Sequence, residues 1–164
     1  MAGYSGTPLP QKLGIKPGTR LGLAAAPSAF KKTLGALPSG AKASDAARAA
    51  GPFDVLVAFF TERKKLAAEL ERLAGRIEPS GALWIAWPKK ASGVKSDISE
   101  DTVRELGLPL GLVDNKVCAV DEVWSGLRLV WRLSERPKLA RQQEKTRFST
   151  KQSSQPGRHR KPAG

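Results

Sequence analysis

Apolar positions along the chain come in short runs whose spacing alternates between that of a strand and that of a helix. Asp54-Val55-Leu56-Val57-Ala58-Phe59-Phe60 is a continuous apolar run of strand length, and such a run predicts a strand covered on both faces. Ala82-Leu83-Trp84-Ile85-Ala86-Trp87 is a second, flanked by Ser80-Gly81 and Pro88, and it reads as the central strand. Between them Leu66, Leu70, Leu73 and Ile77 recur on one stripe, with Arg63, Lys64, Glu71 and Arg72 placed elsewhere. Strand, helix and strand in that order predict two adjacent parallel strands, with Thr61 capping the helix and Glu78 to Gly81 turning the chain into the central strand.

Upstream, Arg20 to Ala26 reads as a first strand stopped by Pro27 and Ser28, and Phe30, Leu34 and Leu37 place a helix within Ser28 to Leu37. Lys42 to Ala50 fits a weak edge strand or a short helix equally well. Residues 1–19, with Pro8, Pro10, Pro17 and several glycines, form an irregular lead-in with at most one helical turn capped by Thr7. Downstream, a helix spans Glu100 to Leu106, with Asp97 or Ser99 as its cap and Gly107 at its end. Lys116 to Asp121 and Gly126 to Leu133 are two strands whose short connection admits only a hairpin. After Ser134 the apolar pattern stops.

These elements predict an α/β fold: one three-layer Rossmann-like domain over 20–133, its mainly parallel sheet ending in an antiparallel hairpin. Residues 134–164 read as a disordered basic tail.

Composition changes this picture in one respect. The formal net charge is +13, which favours anionic partners, and seven of those charges lie from Glu135 onward, where nine basic residues face two acidic ones. Such a tail would attract RNA or DNA without regard to sequence. One cysteine, Cys118, excludes an internal disulfide, and the one histidine, His159, is in the tail, so no Cys/His metal site can form. No apolar run is long enough to span a membrane and no secretory signal opens the chain, so a cytoplasmic location is expected.

In open α/β sheets, ligands bind beyond the carboxyl ends of the strands. The predicted layout gathers Ser28, Thr61, Lys89, Lys90, Ser92 and Trp124 at that edge. Lys89 and Lys90 suit a phosphate or carboxylate, with Ser92 and the backbone N–H groups of the Gly93 loop as further donors. A solvated loop explains the two lysines equally well. Trp87 and Trp124 suit a stacking surface for a base, although core or rim packing is the plainer reading. Glu62, Asp121 and Glu122 have no histidine or nucleophile beside them, so carboxylates serving caps and turns account for them and no catalytic residue is assigned. Cys118, between apolar neighbours in a strand, reads as a buried inert thiol.

Four blocks, Tyr4-Ser5-Gly6-Thr7-Pro8-Leu9-Pro10, Trp87-Pro88-Lys89-Lys90-Ala91-Ser92-Gly93, Gly111 to Asp121 and Trp124-Ser125-Gly126-Leu127-Arg128, resemble the bacterial family catalogued as domain of unknown function 3052. That resemblance implies a cytoplasmic bacterial protein and carries no activity with it. The element order is also similar to a compact Rossmann-type methyltransferase core. There the sequence departs from the pattern, because the glycine-rich loop after the first strand is replaced by Ala24-Ala25-Ala26-Pro27-Ser28-Ala29-Phe30.

The residues thus point first to a non-catalytic Rossmann-like module binding an anionic ligand, a nucleotide or nucleic acid, at the Lys89/Lys90 edge. The alternatives are a reduced methyltransferase using S-adenosylmethionine near Ala26 to Ser28 and Thr61, and a protein–protein adaptor. No cofactor is assigned by the residues themselves.

Overall fold

A computed structural model describes residues 7–153, with side-chain surroundings through 146. Six strands form one sheet: β1 (Arg20–Ala24), β2 (Lys42–Asp45), β3 (Phe53–Phe59), β4 (Ile77–Pro88), β5 (Leu112–Ala119) and β6 (Trp124–Trp131). Their order across the sheet is β2-β1-β3-β4-β6-β5, the first four parallel and the last two antiparallel. The Rossmann-like layout is therefore present, with β3 and β4 adjacent and parallel as their apolar runs predict. Lys42 to Ala50 resolves as an edge strand followed by a turn, and every residue of β2 is exposed.

Alternate side chains of the central strands feed two cores. Leu56, Ala58, Leu83, Ile85 and Trp87 meet α3 (Arg63–Ala74) and α4 (Glu100–Gly107) on one face. Val55, Val57, Phe59, Trp84 and Ala86 meet α1 (Leu9–Lys12) and α2 (Phe30–Leu34) on the other. The segment expected as a lead-in is part of this second core. Leu13 is fully buried, and its carbonyl accepts the Trp84 indole N–H at 3.0 Å. Its prolines limit regular structure without preventing burial. Thr7 does not cap α1, whose N-cap is Pro8 with no side-chain bond.

Glu78 to Gly81 does not turn the chain ahead of β4; it forms an irregularity inside it. Phe53 pairs with Ile77 and Val55 with Ala82, so two steps along β3 match five along β4. A Cβ on Gly81 would come within 2.7 Å of the Asp54 carbonyl oxygen, so only glycine permits this approach. Ile77, expected on the stripe of α3, is instead the first residue of β4, while Leu66, Leu70 and Leu73 form the stripe and are buried. The hairpin strands start earlier than their apolar pattern suggests, because Gly111 (φ 100°) launches β5 directly from the turn after α4.

The chain after Ser134 opens with a helix, α5 (Arg136–Ser153). Leu139 is 4% exposed, and Gln143 Nε2 donates to the carbonyls of Gly75 (3.1 Å) and Ile77 (2.6 Å). Trp131 Nε1 donates to the Ala74 carbonyl at 3.0 Å. The last carbonyls of a helix have no partner within it, and here the hairpin and α5 supply them for α3. The terminal stretch, 154–164, lies outside the described residues. Among the described residues no helix is long and apolar enough to cross a membrane.

Candidate functional site

The sheet order reverses between β1 and β3: from β1 the chain goes outward to β2, then returns to the other side of β1 to build β3 and β4. A crevice at the carboxyl ends of β1 and β3 is where such sheets hold ligands. Its walls are the loop after β1, the end of β2 and the loop after β3.

The loop after β1 lacks glycine, yet Ala25 takes φ 56°, the one non-glycine residue with positive φ among those described. An alanine there crowds its Cβ against the neighbouring carbonyl, at about 1–2 kcal/mol. The loop thus adopts a bend that glycine would make without strain. Ala25 is exposed and Ala24 and Ala26 are half-buried, so the loop presents small side chains at the switch point. Ser28 follows, exposed, in the turn closed by the Phe30 N–H to Pro27 carbonyl bond.

Asp45 ends β2 beside this loop, exposed, with Oδ1 accepting the Ala47 N–H at 2.9 Å. A carboxylate has further acceptor sites after one bond. In dinucleotide-binding Rossmann folds an acid about 20 residues after the phosphate loop meets the ribose hydroxyls. The ambiguity of Lys42 to Ala50 hid this residue from sequence reading; the spacing from Ala25 was the available signal.

At the end of β3, Thr61 is half-buried and does not cap α3. The cap comes from elsewhere: Asp97 Oδ1 accepts the Arg63 N–H at 2.6 Å, and the Asp97 N–H donates to the Thr61 carbonyl at 3.4 Å. Asp97 is therefore committed to α3, and α4 is capped by Ser99 in a reciprocal box with Thr102.

The Lys89/Lys90 loop is built differently from a phosphate cradle. The Lys89 N–H donates to the Val123 carbonyl, those of Ser92 and Gly93 to the Lys89 and Lys90 carbonyls, and that of Val94 to Ser92 Oγ. Ser92 Oγ itself donates to the Lys89 carbonyl at 2.6 Å. The N–H groups of Ser92 and Gly93 are thus spent on a short 3-10 turn (Lys90–Ser92). Lys89, half-buried, and Lys90, exposed, still present two ammonium groups at the end of β4.

Trp87 and Trp124 do not share a surface. Trp87 is buried in the core beneath α3 and α4. Trp124 lies on the other face, edge-on to Phe59 at 5.1 Å, with Phe59 edge-on to Phe30 at 4.9 Å. Trp124 is thus rim packing over the second core. Asp121 is turn chemistry, its Oδ1 accepting the N–H groups of Val123 and Trp124 at 2.8 Å each. Cys118 is half-buried, and burial pushes its thiol pKa up against the opposing pull of Lys12 and Lys116. Among the described residues no group of His, Cys, Asp and Glu could hold a metal ion.

Comparison with solved structures places the fold. The chain resembles a ribosomal protein L11 methylase from Lactobacillus delbrueckii subsp. bulgaricus at 12% identity and TM-score 0.54, covering 76% of this chain and 75% of that one. It also resembles a protein from Sulfolobus solfataricus assigned to the type 11 methyltransferases, at 15% identity and TM-score 0.50, covering 77% and 91%. At such identities the likeness is one of fold. No family model and no curated protein matches the chain, so the likeness to domain of unknown function 3052 rests on the quoted sequence blocks alone.

Proposed function

We propose that the chain binds S-adenosylmethionine in the crevice at the carboxyl ends of β1 and β3 and serves as a small methyltransferase. The observation behind this reading is Ala25: strain at a sheet's switch point is a reason to look for function there. The small Ala24–Ala26 loop suits the close approach of a nucleoside, Asp45 suits its ribose hydroxyls, and the hydroxyls of Ser28 and Thr61 stand at the same ends. The fold shared with methyltransferases is consistent with this but does not by itself confer activity.

When bound, the cofactor supplies an electrophilic methyl group on a sulfonium. An acceptor that is already nucleophilic then needs orientation more than a protein base, so the lack of an acid–base set near the crevice among the described residues is no obstacle. Lys89 and Lys90, one strand further along the same edge, would orient an acceptor carrying negative charge, such as a nucleotide or nucleic acid. The non-catalytic anion-binding reading keeps its two ammonium groups but not the N–H groups of Ser92 and Gly93, which close the turn.

Calorimetry with S-adenosylmethionine and its demethylated product tests this. Micromolar binding that weakens in Asp45→Ala supports the reading, and binding weaker than millimolar removes it.

A further inference from the structure

Away from the carboxyl edge, the face of the β5–β6 hairpin that looks toward α1 carries a charge arrangement that folding alone does not explain. Lys116 and Arg128 are direct partners in the β5–β6 register, and Arg128 is also the partner of Trp84, so all three point to the α1 side. Like charges directly opposite one another on a sheet oppose folding.

Neither cation has a carboxylate partner among the described residues. Arg128 Nη1 donates to the Asn115 amide oxygen at 3.1 Å, and Lys116 Nζ donates to the Lys12 carbonyl at 3.4 Å. A guanidinium has five N–H donors, and a neutral amide engages one. Burial lowers the pKa of Arg128, as it does that of Arg76.

Two other partly buried arginines, Arg104 and Arg76, have more partners. Arg104 sits among Asp114 (2.9 Å), Asp101 (3.1 Å) and Glu100, and the bond to Asp114 foremost, with that to Glu100, raises its pKa. Arg76 donates to the carbonyls of Ala46 and Ala49 and lies over the Phe53 ring. Beside Lys116, between α1 and β5, is a cavity of about 400 Å³ whose lining includes Gln11, Lys12 and Lys116. That volume lies within the range of small-molecule sites.

We propose that this face is a binding site for a phosphate group, with Lys116 and Arg128 as its counter-charges and the cavity receiving the rest of the ligand. A phosphate supplies the charge missing between the two cations, and its oxygens match the planar fork of Arg128. The group can belong to a small phosphorylated molecule or to a polynucleotide backbone. The site is remote from Ala25 and Asp45 and does not depend on the cofactor reading.

The test titrates the full chain with pyrophosphate and, separately, with a short single-stranded oligouridylate, comparing Lys116→Gln, Arg128→Gln and, as a control, the exposed Lys64→Gln on α3. Charge-assisted bonds predict that each of the first two variants weakens binding by about tenfold or more while the control does not. The ligand-free melting temperature of Lys116→Gln should hold or rise, because the opposed charge is gone. Pyrophosphate binding with this pattern identifies a small phosphorylated ligand, and oligouridylate binding without pyrophosphate binding identifies a polynucleotide. The proposal is overturned if neither probe binds, if Lys64→Gln is affected equally, or if lost binding merely follows a lowered melting temperature. Should Arg128→Gln fail to fold, the exposed Lys116→Gln decides alone.

Discussion

Ala25 holds a left-handed bend that its own side chain resists, and this gives a test at the level of one residue. Ala25→Gly relieves about 1–2 kcal/mol of strain and loses part of that to the greater freedom of the unfolded chain, so a net gain in stability of up to ~1 kcal/mol is expected in urea unfolding. Asp97→Ala should cost about 1 kcal/mol by uncapping α3, whereas Thr61→Ala should change little, since Thr61 does not perform that role. Cys118 sets a pH dependence. Its folded pKa is raised by burial, so its contribution to stability is complete below the ordinary thiol range and is lost as pH rises through the folded value. Stability curves of the wild type and Cys118→Ala should therefore diverge on the alkaline side and run parallel below it.

Among the elements, α5 most changes what truncation should do. Seating Leu139 and donating from Gln143 couples the helix to the α3–β4 junction. Leu139→Ala should cost at least about 2 kcal/mol, and removing the chain after Ser134 should lower the melting temperature by more than Leu139→Ala alone. A charged tail without apolar periodicity gave no such indication. One buried leucine and one amide are too sparse to register as a pattern, and the carbonyls that they serve lie more than 60 residues away in sequence. The helix α3 shows the converse: its stripe was legible, but its end was not, because Ile77 continues the helical spacing by coincidence while its backbone pairs with Phe53.

For the molecule as a whole, positive charge is distributed over distinct regions: the end of β4, the β5–β6 face and the chain from α5 onward. Lys89→Glu combined with Lys90→Glu should leave stability within about 0.5 kcal/mol, since neither ammonium takes part in an ion pair among the described residues. The same change should weaken an anionic acceptor at the carboxyl edge and leave phosphate binding at Lys116 and Arg128 intact. Thermal unfolding together with the two titrations separates these effects.

What the sequence determined by itself was the architecture: two continuous apolar runs made β3 and β4 central, the helical stripe between them made their connection a crossover, and the short link after Val120 made a hairpin. Those features are written in near neighbours, where spacing and burial are directly related. The tertiary structure decided the chemistry of the surface. It put Trp87 and Trp124 on opposite faces, spent the donors around Ser92 on a turn, gave the cap of α3 to Asp97, bent Ala25 into a glycine conformation and set Lys116 against Arg128. Each of those outcomes depends on register, backbone angle or a partner distant in the chain, and none leaves a periodic trace in the residues that carry it.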